Sequence, residues 1–359
     1  MVWVLGIWLV SLTVLFWYHT FVFRKQGEVN YDAGQTAWPG VSIVIAVKNG
    51  GRLAEQHIPS LLGQDYPLFE IILVDDHSDA DPLELLQHLA VNHSQIVVIP
   101  SLKQPGKRYA LMTGIEQARF PIILCTDVDC RPVSPNWIKS MAQSGQGHEM
   151  VVGYSPYQKQ PGFLNLWVRF ETVLTGMQYL SWASVGKPYM GVGRNLMFTK
   201  EWYQRTQPLQ SRSQVPYGDD DRLVQSATKE GRVSANLDSN AFVLSIPVQR
   251  WGEWWRQKHR HLSAGHQYTG AHWLKPGLYG IALMLQWWLM PFISGYMWPW
   301  VWVLGIGVLV IRWLRYIQWT NLLGEKDSRI IYPVLEAGYT LYLAVMGIFT
   351  WIKPKARWN

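Results

Sequence analysis

From Lys275 to Arg312 the chain passes through residues 276–311 without one Asp, Glu, Lys or Arg. About 20 predominantly apolar residues already cross a bilayer, so this stretch is expected in a membrane. It is long for one crossing and tight for two. Pro291, Gly295 and Pro299 offer a place to turn, which predicts a transmembrane helical hairpin over 276–314. Residues 1–23 are equally free of charge and are followed at once by Arg24 and Lys25, which predicts a transmembrane helix. They lack the basic start, short apolar core and small-residue cleavage site of a secretory signal. A last apolar stretch, 330–352, carries Glu336 alone and is expected to span the membrane or lie embedded in it.

Charged residues are 16% of the chain, against roughly 25% in typical soluble proteins. Most of the 21 tryptophans lie from Trp251 onward, many near the ends of the apolar runs, as in an interfacial aromatic belt. Arg24 and Lys25 orient the region after the first span toward the cytoplasm. Arg312, Arg315, Lys326 and Arg329 place 312–329, expected as a loop, on the same side. The basic tail, Lys353 to Arg357, runs against that bias, so the last segment either overrides it or does not fully cross. The expected location is the cell membrane, multi-pass, with the large middle region cytoplasmic. The net charge of +7 is modest and largely explained by the flanks of spans, which argues against a nucleic-acid binder. Cys125 and Cys130 are too few for a disulfide framework or a thiolate metal site.

The middle region, 39–248, has a different grammar. Apolar runs at 41–47, 69–74, 96–99 and 121–125 read as buried strands, and helical stretches lie between them near 52–63, 82–91 and 107–118. This alternation predicts an α/β fold with a doubly wound, mostly parallel sheet, whose ligands bind at the carboxyl ends of strands. Acidic residues stand at those ends: Asp75 and Asp76 after the second strand, Asp127 and Asp129 after the fourth. No P-loop is present, and Gly191-Val192-Gly193 lacks the third glycine of a dinucleotide fingerprint. Bound phosphates would then need paired carboxylates and a divalent metal.

Thr126-Asp127-Val128-Asp129 offers two carboxylates that can approach one hard cation, although a solvated acidic turn has the same pattern. Gly218-Asp219-Asp220-Asp221 opens a helical stretch; capping explains part of it, and a further carboxylate is left for general-base work. The basic, aromatic segment from Trp251 to Gly270, within an interfacial region 249–275, places Gln257, Arg260 and His261 on one helix face. That face can meet lipid headgroups or a site. His259, His261, His266 and His272 show no recognised metal-ligand spacing. Residues 163–184 read as an amphipathic helix with Arg169 and Glu171 its only charges, either packed in a core or leading an apolar acceptor to the site.

Together these segments resemble the membrane-bound glycosyltransferases of family 2, with the GT-A (Rossmann-like) fold, from about Val41 to Gly265. VSIVIAVKNG followed by SLLGQDYPLFEIILVDDHS resembles the opening half-site, which implies that Asp75 and Asp76 lie at the nucleotide base and ribose. Gly106-Lys107-Arg108 with Ala110-Leu111 resembles the G-K-x-x-A-L segment, whose lysine lies near the nucleotide. TDVD stands as the metal-binding D-x-D, implying Mg2+ or Mn2+ held by Asp127 and Asp129. GVGRNLMF resembles the G-x-N segment, and GDDDRL resembles G-E-D-x-x-L, with Asp220 the implied catalytic base. Gln257-Lys258-His259-Arg260-His261 occupies the Q-x-x-R-W position, with Gln257 and Arg260 expected at the diphosphate and His261 where the family usually has Trp.

In layout the chain resembles ceramide glucosyltransferases and related bacterial enzymes that glycosylate lipids. The resemblance implies inverting transfer of a hexose from a nucleotide sugar, UDP-glucose foremost, to a lipid hydroxyl. A processive polysaccharide synthase using the same donors is the alternative, favoured by Q-x-x-R and disfavoured by size, span count and His261. A non-catalytic nucleotide-binding membrane scaffold is a third, and the acidic positions argue against it.

Overall fold

The computed structural model describes residues 2–24, 38–210, 219–227, 232–265, 268, 272–297 and 299–352. In chain order the elements are α1 (Val2–Trp17, continued by a π-helical turn Tyr18–Val22), β1 (Val41–Val47), α2 (Gly51–Leu62), β2 (Phe69–Asp75), α3 (Ala80–Asn92), β3 (Ile96–Pro100) and α4 (Lys107–Gln117). Then follow β4 (Ile122–Cys125), β5 (Cys130–Pro132), α5 (Trp137–Ser144), β6 (Met150–Val152), α6 (Phe163–Ser184), β7 (Leu196–Thr199), α7 (Lys200–Gln210) and α8 (Asp219–Ala227). The last are β8 (Val233–Ala235), β9 (Val243–Ser245), α9 (Trp251–Gly265), α10 (Leu274–Met297), α11 (Trp300–Leu322) and α12 (Tyr332–Ile352). The chain divides into two compact units. One comprises Met1–Gln26, Lys159–Trp182 and Val248–Asn359; the other comprises Gly27–Gln158 and Ala183–Pro247.

The second unit is built on a seven-stranded sheet of order β3-β2-β1-β4-β7-β6-β8. The strands β3, β2, β1 and β4 are all parallel, with Val41 opposite Phe69 and Val44 opposite Cys125. These are the four apolar runs of the sequence; Ile43, Val44, Leu73, Val74 and Leu124 are fully buried, as central strands covered on both faces require. As a mostly parallel sheet allows, β7 runs antiparallel to both β4 and β6, while β6 and β8 pair parallel. The sheet is therefore mostly parallel with one reversed strand. A small antiparallel pair, β5 with β9, sets Cys130 opposite Ser245.

The first unit holds four helices long and apolar enough to cross a membrane: Val2–Val22, Leu274–Gly295, Trp300–Leu322 and Tyr332–Ile352. The uncharged run 276–311 makes two full helices because each extends beyond it. The first starts at Leu274 and the second continues past Arg312 to Leu322. At about 1.5 Å per residue both exceed the ~30 Å hydrocarbon thickness. Pro291 lies inside α10, so of the three expected turn residues only Pro299 sits in the connection. The expected loop 312–329 is helix as far as Leu322. Arg312 can stay inside it because Glu336 of α12 neutralises it, its carboxylate accepting from Arg312 Nε and Nη2 at 3.1 and 2.6 Å. Both side chains are fully buried. Gln286 also accepts from Arg312, and the Tyr332 hydroxyl and the Trp287 indole donate to Glu336, so each charge has further hydrogen-bond partners besides the other. A charge so paired carries no weight as a positive-inside marker. Arg315 also lies on α11, where its Nε donates to the His19 carbonyl. Lys25 and the tail Lys353–Arg357 lie outside the described residues.

The helix read over 163–184 is α6. Its two charges are both buried and both paired inside the first unit. Arg169 bridges Glu325 and Asp327, and Glu171 accepts from Lys258 at 2.9 Å, the Trp254 indole at 3.3 Å and the Tyr342 hydroxyl at 3.1 Å.

Candidate active site

Strand β4 ends in the turn that carries both carboxylates of the D-x-D. Ile123 and Leu124 are fully buried and anchor the strand, whereas Asp127 and Asp129 are half-buried where it emerges. The turn is fixed from both sides. The Cys130 amide donates to the Asp127 carbonyl at 3.1 Å, and the His57 ring on α2 lies 2.9 Å from the Val128 carbonyl through Nδ1. Asp127, Asp129 and Cys130 bring a carboxylate oxygen each and a thiol within 4.8 Å of one another. Burial, with Asp127 and Asp129 alongside, pushes the Cys130 thiol up, so it stays protonated and donates toward Asp129 Oδ1 at 3.4 Å. Two hard oxygen donors on a partly exposed turn fit Mg2+ or Mn2+. Cysteine count alone had set Cys130 aside; its place directly after the D-x-D was the available clue.

Lys107 opens α4 and reaches Asp127 Oδ1 through Nζ at 2.5 Å. Burial disfavours its ammonium, yet Asp127 and then Asp220 outweigh this and hold the pKa above its ordinary value. Asp220 therefore shares the electrostatic environment of Lys107 and Asp127. The backbone before Lys107 is held by Asp76, whose two carboxylate oxygens accept from the Gly106 amide at 2.9 and 3.0 Å. Gly106 has φ +142°, a conformation that only glycine adopts without strain. Asp76 thus spends much of its hydrogen-bonding capacity on the loop that presents Lys107. Asp75, also buried, accepts from the Ser78 amide at 3.3 and 3.4 Å.

The two glycine-containing motifs meet. Asp220 Oδ2 accepts from the Gly193 amide at 3.0 Å, and Asp221 Oδ1 from the Gly191 amide at 3.3 Å. A Cβ on Gly193 would lie 3.0 Å from Asp220 Oδ2, so the close approach depends on the missing side chain. Asp220 Oδ1 also accepts from the Asp221 amide at 3.1 Å, which fixes the carboxylate plane at the start of α8. Asn195 of the same segment is fully buried and structural. Its Nδ2 donates to the carbonyls of Tyr154 and Ala241, and its Oδ1 accepts from the Trp137 indole.

Gln257 and Arg260 lie on α9 of the first unit. Burial, with Arg256 alongside, lowers the Arg260 pKa, and His261 is exposed. Lys258, between them, is committed to Glu171. The second unit thus gathers Lys107, Asp127, Asp129 and Asp220, with Asp76 reaching Lys107 through Gly106.

Residues 42–204 match the family model of Glycosyl transferase family 2. The poly-beta-1,6-N-acetyl-D-glucosamine synthase of Staphylococcus epidermidis is 28% identical over 122 residues, 34% of this chain and 29% of that protein. The undecaprenyl-phosphate 4-deoxy-4-formamido-L-arabinose transferase of Pseudomonas fluorescens is 31% identical over 135 residues, 35% of this chain and 38% of that one. Both matches thus cover well under half of the relative's length. A mannosyltransferase from Pyrobaculum calidifontis, solved in complex with GDP-Man and Mn2+, has a TM-score of 0.59 at 16% identity, covering 95% of this chain and 97% of that one. That likeness is one of fold. Residues 42–204 are accordingly a glycosyl transferase family 2 domain on a GT-A-type, mostly parallel sheet, carried by a chain with four helices of membrane-spanning length and hydropathy.

Proposed function

We propose that this protein is an inverting glycosyltransferase that moves a hexose from a UDP-linked sugar to a lipid hydroxyl at the cytoplasmic face of a membrane. The observation that carries the reading is the convergence of Asp127, Asp129, Lys107 and Asp220 within a family 2 domain. An alcohol is a poor nucleophile at neutral pH, and Asp220 is the group to take its proton as attack begins. Its carboxylate is held by the Gly193 and Asp221 amides, so it meets the acceptor pre-oriented. Asp127 and Asp129 would hold Mg2+ or Mn2+, which supplies Lewis-acid neutralisation of the leaving diphosphate. Gln257 and Arg260 are assigned to the diphosphate as a guanidinium and amide clamp. Asp75 is assigned to the nucleotide base and ribose, and Asp76 to the same half-site, where it also sets the Gly106–Lys107 backbone.

The lipid acceptor is supported by the four apolar helices and by the likeness to an undecaprenyl-phosphate sugar transferase. A processive polysaccharide synthase is the second reading, favoured by the likeness to the staphylococcal polymer synthase. Membranes bearing the protein, incubated with radiolabelled UDP-glucose and Mn2+ and split between organic and aqueous phases, separate the two. Label in the organic phase supports lipid glycosylation. Label in an aqueous, high-mass product would replace it with the polymer reading.

A further inference from the structure

Lys107 and Asp127 form an ion pair at 2.5 Å with side chains 34% and 29% exposed. Part-buried yet still open to solvent, this pair can exchange partners, unlike the fully enclosed Arg312–Glu336 pair. The two ends differ in freedom. The root of Lys107 is fixed, because Asp76 grips the preceding Gly106 amide with both oxygens and α4 begins at Lys107 itself. Only the four-carbon stem can swing, carrying a point charge that needs no particular geometry.

Asp127 has a second claim on it, since its carboxylate and that of Asp129 lie together. An ammonium and a divalent cation on one carboxylate would stand a few ångströms apart and repel, so the two compete. Phosphates arriving at the amino end of α4 offer the ammonium an anion in exchange, at a helix terminus that itself favours negative charge.

We propose that Lys107 is the resident counter-ion of Asp127, and that it transfers to the donor's phosphates when a divalent cation takes its place between Asp127 and Asp129. The inference rests on the metal site assigned under the proposed function. Its consequence is linkage: donor nucleotide and metal each tighten the other's binding by the same factor, and Lys107 carries part of that coupling. The nucleotide-free protein then holds metal weakly, with one of the turn's two carboxylates already paired.

The test measures Mn2+ binding by the electron paramagnetic resonance signal of free Mn2+, on the full chain in detergent, with and without UDP. Wild type is compared with Lys107→Met, Lys107→Gln, Lys107→Arg and Asp129→Asn, and a thermal midpoint for each establishes folding. Without UDP, Lys107→Met and Lys107→Gln should bind Mn2+ about three- to tenfold more tightly, the range for removing one partly screened competing charge. Lys107→Arg should match wild type. UDP should tighten Mn2+ binding strongly in wild type and less in Lys107→Met. Unchanged or weaker Mn2+ binding by folded Lys107→Met and Lys107→Gln overturns the proposal while leaving the metal site standing, provided Asp129→Asn lowers affinity. If Asp129→Asn binds Mn2+ as wild type does, the metal-site reading itself fails, and this inference with it.

Discussion

Asp220 shows how a residue's neighbours narrow its role. A run of three aspartates at a helix start is ambiguous in sequence, because capping alone accounts for carboxylates there. The structure separates two of them: Asp221 is buried and accepts from Gly191, whereas Asp220 is half-buried against Gly193. Asp220→Asn keeps one acceptor oxygen for the Gly193 amide, loses the acceptor facing the Asp221 amide, and cannot take a proton. Transfer should fall by about a hundredfold or more, measured as labelled product from matched membranes, while the lost hydrogen bond costs only about 1 kcal/mol of stability. Asn195 should behave oppositely. Asn195→Ala strands the Trp137 indole and the Ala241 carbonyl, leaves the Tyr154 carbonyl to the Val243 amide, and should cost about 2–4 kcal/mol of stability, read from thermal unfolding in detergent. In sequence both residues stand in segments that resemble family motifs, and burial and partners set a half-buried carboxylate apart from a fully buried amide. The cysteines give a pH prediction. Burial holds the Cys125 thiol up at about 12, against about 8.5 in an unfolded chain. The unfolded state therefore releases its proton first, and stability falls as pH rises above about 8.5, by up to about 1.4 kcal/mol per pH unit for this group. Cys130 acts in the same direction. Thermal midpoints between pH 8.5 and 10 should decline in wild type and decline less steeply in Cys125→Ala.

Elements were legible where burial is two-sided or continuous. The runs VSIVIAV and FEIILV have no polar alternation, and both are central parallel strands. The strands β5, β6, β8 and β9 have three residues each, too short for any period to register, and the antiparallel entry of β7 is dictated by pairing partners rather than by its own sequence. The apolar run was legible as helix of membrane-spanning length, but its ends were not, since a charge reads as a boundary until its partner is known. Arg312 and Glu336 are each costly in an apolar helix and acceptable together. Glu336→Ala leaves Arg312 buried without its counter-charge and should cost about 3–5 kcal/mol, seen as a lowered thermal midpoint in detergent. The double substitution Arg312→Met with Glu336→Leu should recover most of that loss. If it is as unstable as the single variant, the pair is not what makes Glu336 important.

At the scale of the molecule, a family 2 domain and four apolar helices share one chain, and the proposed chemistry uses both. The second unit carries the carboxylates and Lys107; the first carries α9, with Gln257 and Arg260, and the four apolar helices. Asp75, Lys107 and the aspartates of TDVD and GDDD stand at or just past strand and helix ends, where the apolar pattern locates them, whereas Gln257 and Arg260 lie inside α9. What pattern could not supply was the state of each carboxylate: Asp76 turned to a backbone amide, Asp127 to Lys107, Asp220 to Gly193. The central claim is metal-assisted sugar transfer by this acidic cluster. Its most direct measurement follows transfer of label from UDP-[14C]glucose by membranes containing wild type, Asp129→Asn or Asp220→Asn, each with Mn2+ or with EDTA. Wild type with Mn2+ should give product, with a collapse toward background in EDTA and in both variants. Undiminished transfer in EDTA together with active Asp129→Asn and Asp220→Asn proteins would contradict it.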